Sequence, residues 1–199
     1  IALAGVMGLK AAADLAARTE TLGITLEQVA GNAGYSADEI KRYTDELKAL
    51  GITTGVARSS LTQLIQAGIN LTAVNEAGAS TAAQLARASQ DLAVVTGENS
   101  SDTLSRLITN IRQLDSMGLR YMGLNVDIAA SQEVFAASIG KTAGALTNQQ
   151  KQQAVLNASL LEAEKLAGSY EASLASVGKQ LGSMARYQEE AGNAIGNNL

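Results

Sequence analysis

Apolar residues recur at helical spacing along most of the chain, and glycine interrupts this pattern at short intervals. Ile40, Tyr43 and Leu47, for example, fall on one face of a helix. No segment alternates apolar and polar residues for long enough to predict a strand. Because the chain has 19 glycines and no proline, glycine is left to end most helices. The sequence therefore predicts an all-α fold with no sheet.

The expected helix ends are marked by two local patterns. In a capping box, a hydroxyl residue at the helix start is followed three positions later by Glu or Gln. The pattern pairs Thr25 with Gln28, Ser36 with Glu39, and Thr147 with Gln150. Six glycines stand where an apolar helical stripe runs out, and each predicts a helix end. They are Gly51, Gly68, Gly97, Gly118, Gly140 and Gly168.

The predicted helices are short before Gly123 and longer after it, which places a domain boundary there. We expect residues 1–123 to form a short-helix bundle or a jointed helical segment, and residues 124–199 to form a longer-helix, coiled-coil-like segment. The predicted helices run to about residue 19 and then span about 26–32, 37–50, 54–67, 71–77, 80–96, 101–116, 128–139, 148–167 and 169–191.

Eleven residues form candidate seams for helix–helix packing, because they repeat at three- and four-residue steps. The last four follow the spacing of a coiled coil. Such seams suit contacts between copies of the chain and contacts within one chain equally. The residues are Leu104, Leu107, Ile111, Leu114, Leu156, Leu160, Ala163, Tyr170, Leu174, Val177 and Leu181.

The composition removes most of the side chains that catalysis and metal binding use. The chain has no His, Cys or Trp, one Phe and five Tyr. Nucleophilic triads lose their usual base, and zinc sites lose their commonest ligands. The 15 basic and 19 acidic residues are scattered, so the clustered basic surface typical of nucleic-acid binding is missing. We expect no enzymatic activity, no cofactor, no metal and no nucleic-acid contact.

Two further patterns have ordinary structural explanations. Ser138 to Thr142 resembles the end of a phosphate-binding loop, but the loop's first glycine is replaced by Phe135, and a helix end at Gly140 explains the residues. The acidic pairs Glu162 with Glu164 and Glu189 with Glu190 are expected on solvated helix faces. Glu133, on an otherwise apolar helix, is the one acid expected in a groove.

The chain begins with Ile, and we expect it to be a piece of a longer protein. The uncharged run from Ile1 to Leu9 is far shorter than the ~20 residues that span a bilayer. A packed helix explains this run better than a membrane-active segment does.

A series of short motifs appears in a fixed order between residues 86 and 172. Ala86 to Gly97 ends in Thr-Gly, Gly140 to Thr142 is followed by Ala-Leu-Thr at 145–147, Gln149 to Ala158 is rich in Gln and Ala, and Gly-Ser-Tyr-Glu-Ala stands at 168–172. This order resembles the tail tape measure proteins of long-tailed bacteriophages. The resemblance covers roughly residues 80–190.

The resemblance implies a structural virion protein, located inside the phage tail and, during assembly, in the host cytoplasm. Such a protein occupies the lumen of the tail tube, sets the tube length, and is released at infection to help genome ejection. The implied partners are other copies of the chain in a trimer or hexamer, tail tube and tail-tip proteins, tail assembly chaperones, and the host membrane on ejection. Some family members carry hydrolase domains, but no hydrolase motif is present here.

The glycine pattern also suggests where such a segment would lie. A single helix of 199 residues would be about 300 Å long, at 1.5 Å per residue. Because the predicted helices are broken, we expect a folded segment close to the tail tip. The alternative function is a membrane-interacting or secreted helical effector without enzymatic activity, which vesicle leakage caused by residues 1–20 would favour. A cell-wall hydrolase fragment is a third and weaker hypothesis.

Overall fold

The computed structural model describes residues 2–174 and 177–197, with side chains placed for 9–174 and 186–197. Within these ranges the chain is all-α. It contains no strand there, and an isolated bridge pairs Val74 with Ser80. The α-helices are α1 (Ala2–Asn32), α2 (Ala37–Ala49), α3 (Thr54–Gln66), α4 (Thr81–Thr96), α5 (Ser100–Gln113), α6 (Ser116–Tyr121), α7 (Ile128–Ser138), α8 (Asn148–Ala163), α9 (Ser169–Ser173) and α10 (Val177–Gly196).

The hydrophobic core lies among α2, α3, α4, α5 and α8, which pack against one another. Each contributes a large side chain that is almost completely buried, and burial of such a side chain stabilises the fold by about 1.5–3 kcal/mol. The connections after α2, α3 and α6 add further buried apolar residues. In the order of these five helices, the side chains are Tyr43, Leu61, Leu92, Leu107 and Leu156.

The second structural feature is a pair of helices formed by the two ends of the described chain. α1 packs on α3 and on α10. Asn193 of α10 meets Thr19, whereas Gly196 lies against Ala12. The later residue of α10 thus contacts the earlier residue of α1, so the two helices are antiparallel. α1 contributes Leu26 and Ala30 to the core cluster, whereas the earlier residues Ala12 and Thr19 contact α10.

The start of the chain differs from the prediction. The helix predicted to stop near Thr19 and the short helix at 26–32 are one continuous α1 of 31 residues. The capping box predicted at Thr25 is therefore wrong, since the Thr25 hydroxyl donates to the carbonyl of Thr21 inside the helix. The longest described helix thus opens the chain instead of closing it.

The helix predicted at 71–77 is also wrong. Side chains satisfy the backbone of this connection in place of helical hydrogen bonds. The Oδ1 atom of Asn70 accepts from the backbone N–H of Thr72, and that of Asn75 accepts from the backbone N–H of Ala79. The Thr81 hydroxyl bonds back to the carbonyl of Asn70.

The other helix ends follow the local signals in most places. The capping boxes at Ser36 and Thr147 form as predicted. At Gly97 the backbone takes a φ of 73° at the end of α4, a conformation that costs glycine little. Gly118 is an exception, because it lies inside α6. Four more of the predicted glycines also have positive φ beside helix ends: Gly51, Gly68, Gly140 and Gly168.

Two further helices differ from the prediction. The one predicted at 101–116 is α5, which ends at Gln113 before Leu114 adopts φ 54°, and the short α6 that follows it was not predicted. The one at 169–191 is α9 followed by α10. The boundary predicted at Gly123 falls in the connection between α6 and α7. The division into two domains at this boundary stays a prediction. Helices on its two sides are in contact, because α8 packs on α4 and α5 and α10 packs on α1.

Candidate interaction surfaces

The predicted packing residues on α5 and α8 lie inside a single chain. Leu104, Leu107 and Ile111 are buried on α5, and Leu156 and Ala163 are buried on α8. They belong to the same core cluster, where α5 and α8 are in contact. The two remaining predicted residues of this region pack against the cluster and are partly buried: Leu114 and Leu160.

Of the last four predicted packing residues, Tyr170 and Leu174 do not join that cluster. Tyr170 is half-buried, and its backbone N–H donates to the carboxylate of Asp91 at 2.9 Å. Leu174 is 49% exposed. Val177 and Leu181 begin α10, but their side chains lie outside the described residues. The described part of this seam therefore lies at the surface.

Glu190 of α10 performs a capping function that local sequence does not indicate. Thr53 precedes α3, but its side chain makes no capping hydrogen bond. The Glu190 carboxylate instead accepts from the backbone N–H of Thr54 at 2.7 Å and from its hydroxyl at 3.0 Å. A negative charge at a helix start also interacts favourably with the helix dipole. The expectation that Glu190 faces solvent is wrong.

A polar contact next to this cap joins α1, α3 and α10. The buried Thr19 hydroxyl donates to Oδ1 of Asn193 at 3.0 Å, and the Arg58 guanidinium donates to the carbonyl of Thr19 at 2.6 Å. An open groove of about 950 Å³ runs beside these residues. Charges of both signs line it, including Glu27 and Lys48, so the groove has no strong preference for one sign of ligand.

The helix α7 exposes apolar side chains. This helix has one acidic residue and no basic residue, yet only Ala136 is buried. Val134 is 73% exposed, and Glu133 is exposed beside it, so the groove predicted for Glu133 does not form. On α8, Leu161 is 64% exposed. Contiguous apolar patches mark surfaces that contact other proteins, whereas single exposed apolar side chains are common on protein surfaces.

Among the described side chains, the titratable groups with shifted pKa values lie on α2. Hydrogen bonds from the Ser36 backbone and hydroxyl lower the pKa of Glu39. The hydrogen bond between Lys41 and Asp45, at 2.8 Å, raises the pKa of the lysine and lowers that of the carboxyl. Burial raises the pKa of Tyr43. These shifts have local structural causes and do not converge on one pocket.

The described residues contain neither a metal-binding cluster nor a helix suited to cross a membrane. No group of three or more His, Cys, Asp or Glu side chains there is arranged to hold a metal ion. Among the same residues, no helix combines the length and the apolar character that a membrane span requires.

Comparison with known proteins found no match among protein-family models, curated proteins or solved structures. The geometry alone therefore describes the candidate site. Three separate features stand out among the described side chains. They are the buried seam of α5 and α8, the polar contact that joins α1, α3 and α10, and the exposed apolar residues of α7.

Proposed function

We propose that the chain is a segment of a tail tape measure protein of a long-tailed bacteriophage. The observation that carries the proposal is the order of short motifs between residues 86 and 172, which resembles that family. Several of these motifs lie at helix boundaries. Gly97 follows α4, Gly140 follows α7, and Thr147 caps α8. A protein that sets tube length needs a defined arrangement of helices. Motifs that determine where helices begin and end are consistent with this function.

The proposed function is structural, without enzymatic activity. The segment would occupy the tube lumen during assembly and leave it at infection. The fold supports a location near the tail tip, because the longest described helix, α1, has 31 residues and spans about 47 Å at 1.5 Å per residue. A segment folded in this way contributes little length to a regular rod.

We further propose that copies of the chain contact one another in a trimer or hexamer, in part through coiled-coil-like pairing of its last helices. The exposed Val134, Leu161 and Leu174 support this, since such side chains lose contact with water when helices associate. The buried seam on α5 and α8 is already used within one chain. Contacts between copies therefore fall to α7, the outer face of α8, and the surface around Leu174.

Cross-linking of purified virions tests this proposal. Lys141 and Lys165 are exposed, so an amine-reactive reagent should join them to neighbouring tail proteins. We expect peptides of the chain in isolated tails, with cross-links to tail-tip proteins and to other copies of itself. Head proteins of the same virions provide the control and should not be linked. Absence of the chain from purified tails would contradict the proposal.

A further inference from the structure

The connection between α2 and α3, residues 50–54, is held by side chains from helices that follow much later in the chain. The side-chain amide of Gln90, on α4, donates to the carbonyl of Leu50 at 2.7 Å. The backbone N–H of Thr53 donates to the hydroxyl of Ser101, on α5, at 3.1 Å, and this hydrogen bond is buried. Buried backbone groups of a connection need such partners, because they have none within a helix. α4 and α5 therefore fix the path of this connection.

The helix α10 holds the same connection from another side. The Glu190 carboxylate accepts from the backbone N–H of Thr54, the residue that follows Thr53. The Arg186 guanidinium lies against Gly51, where an added Cβ would clash with it. The consecutive N–H groups of Thr53 and Thr54 thus bond to α5 and to α10. A five-residue connection therefore brings together α4, α5 and α10.

α10 also packs along α1 through small residues. An added Cβ at Gly192 would lie 3.0 Å from the side chain of Leu15. One at Gly196 would clash with the carbonyl of Ala12 and with Ala16, both of which are buried. α1 in turn packs on α3 and contributes to the core cluster. Departure of α10 would therefore expose apolar surface on α1 and remove the cap of α3 at the same time.

We propose that residues 50–54 form a joint that couples α10 to the core, so that α1, α3, α4, α5 and α10 unfold in a single cooperative step. Hydrogen bonds that restrain one short stretch of backbone depend on one another, because loss of one partner loosens the stretch and leaves less for the other to hold. The coupled unit crosses the boundary predicted at Gly123, since the joint lies before it and α10 lies after it. The joint rests only on contacts within the chain and is independent of the tape measure proposal.

A double-mutant cycle in the full chain, read by urea denaturation, tests the coupling. Glu190→Ala removes the charged cap and should raise the equilibrium constant of unfolding about fivefold. Ser101→Ala leaves the buried N–H of Thr53 without its acceptor and should raise the same constant about tenfold. Because both substitutions loosen the same joint, the double variant should fall more than about twofold short of the product of these two factors.

Glu190→Ala combined with Ser36→Ala provides the matched control. Ser36 caps the start of α2, and the joint follows the other end of this helix, whose 13 residues span about 20 Å. Effects of substitutions this far apart multiply to within about twofold. If the cycle of Glu190 and Ser101 also reaches the product to within about twofold, the joint is overturned.

Native-state hydrogen exchange, read by mass spectrometry, provides a second, independent readout. In one cooperative unit, Glu190→Ala should speed exchange of the slowest amides of α4, α5 and residues 186–197 by the same factor, about fivefold. Glu189→Ala removes the neighbouring carboxylate, for which no hydrogen bond is described, and it should change these rates less than about twofold. Faster exchange confined to α10 and the first turn of α3 would contradict the coupling, because α10 would then open without the core.

Discussion

At the residue scale, the side chains of Ser36 and Glu39 cap the start of α2. The carboxylate of Glu39 accepts from the Ser36 backbone N–H and hydroxyl, each at 2.8 Å, and the Glu39 N–H donates to the Ser36 hydroxyl at 3.3 Å. Without them, these N–H groups at the helix start would have no intrahelical partner. α2 packs on α3 and α4, so this cap also helps to position Tyr43 in the core.

Replacement of Ser36 by Ala removes the side-chain acceptor of this cap. We expect Ser36→Ala to lower the free energy of unfolding by about 1 kcal/mol, measured by urea denaturation. Ser105→Ala is the control, because Ser105 lies inside α5 and caps no helix. It should change stability by less than about 0.5 kcal/mol. Equal losses in the two variants would contradict the importance of the cap.

Glu39 should also make stability depend on pH. Its pKa is lowered in the folded state, so its stabilising effect is complete above the unfolded pKa and is lost as pH falls through the folded pKa. Glu39→Gln keeps a residue that can form the capping box but removes the titration. The difference in melting temperature between the two proteins should therefore shrink as the solution is acidified. A difference that does not change between neutral and acidic pH would contradict this assignment.

At the scale of elements, α1 illustrates why a local pattern can mislead. Gly23 and the Thr25–Gln28 pair predict a break, but the Arg58 guanidinium packs where a side chain at Gly23 would be, with an added Cβ 3.0 Å from its Cζ. Glycine within a helix costs only about 1 kcal/mol. Burial of Leu26 and Ala30 on the same helix outweighs that cost.

The split between α5 and α6 has a related cause. Leu114 adopts a left-handed backbone conformation that favours glycine, yet its side chain packs against the core. Asp115 then caps α6 through the backbone N–H of Gly118. No glycine marks the end of α5, so the predicted helix runs on to about residue 116, and α6 is not predicted.

A pair of leucines on α8 tests whether its seam is internal. Leu156 is 1% exposed, whereas Leu161 is 64% exposed. Leu156→Ala should lower the free energy of unfolding by about 2–5 kcal/mol, because it leaves a cavity in the core. Leu161→Ala is the control and should change stability by less than about 0.5 kcal/mol in the monomer. Denaturation at low protein concentration measures both, and similar losses would contradict the internal position of Leu156.

At the scale of the whole molecule, the sequence predicts features set by neighbouring residues and misses contacts between residues far apart in the chain. The all-α class and the caps at Ser36 and Thr147 follow from neighbouring residues. The Glu190–Thr54 cap joins residues 136 positions apart, and no local pattern indicates it. The glycines at 192 and 196 were a usable signal, because small residues one turn apart permit a close helix contact, but they do not identify α1 as the partner.

The overall dimensions distinguish a folded bundle from a rod. A compact chain of 199 residues should have a radius of gyration of about 16 Å. A single helix of the same length would give a value of about 85 Å. Small-angle X-ray scattering at low concentration, on the monomer separated by size exclusion, measures this quantity directly. A value several times larger than the compact one would contradict the fold.

We propose that this chain serves in a tape measure as a compact helical segment near the tail tip. The most direct test is an in-frame deletion of the whole segment from the encoding phage, with tail-tube length measured by electron microscopy. A compact segment is about 40–50 Å across, so its loss should shorten the tube by about 50 Å or less. A shortening close to 300 Å, the length of 199 residues in one continuous helix, would contradict the account.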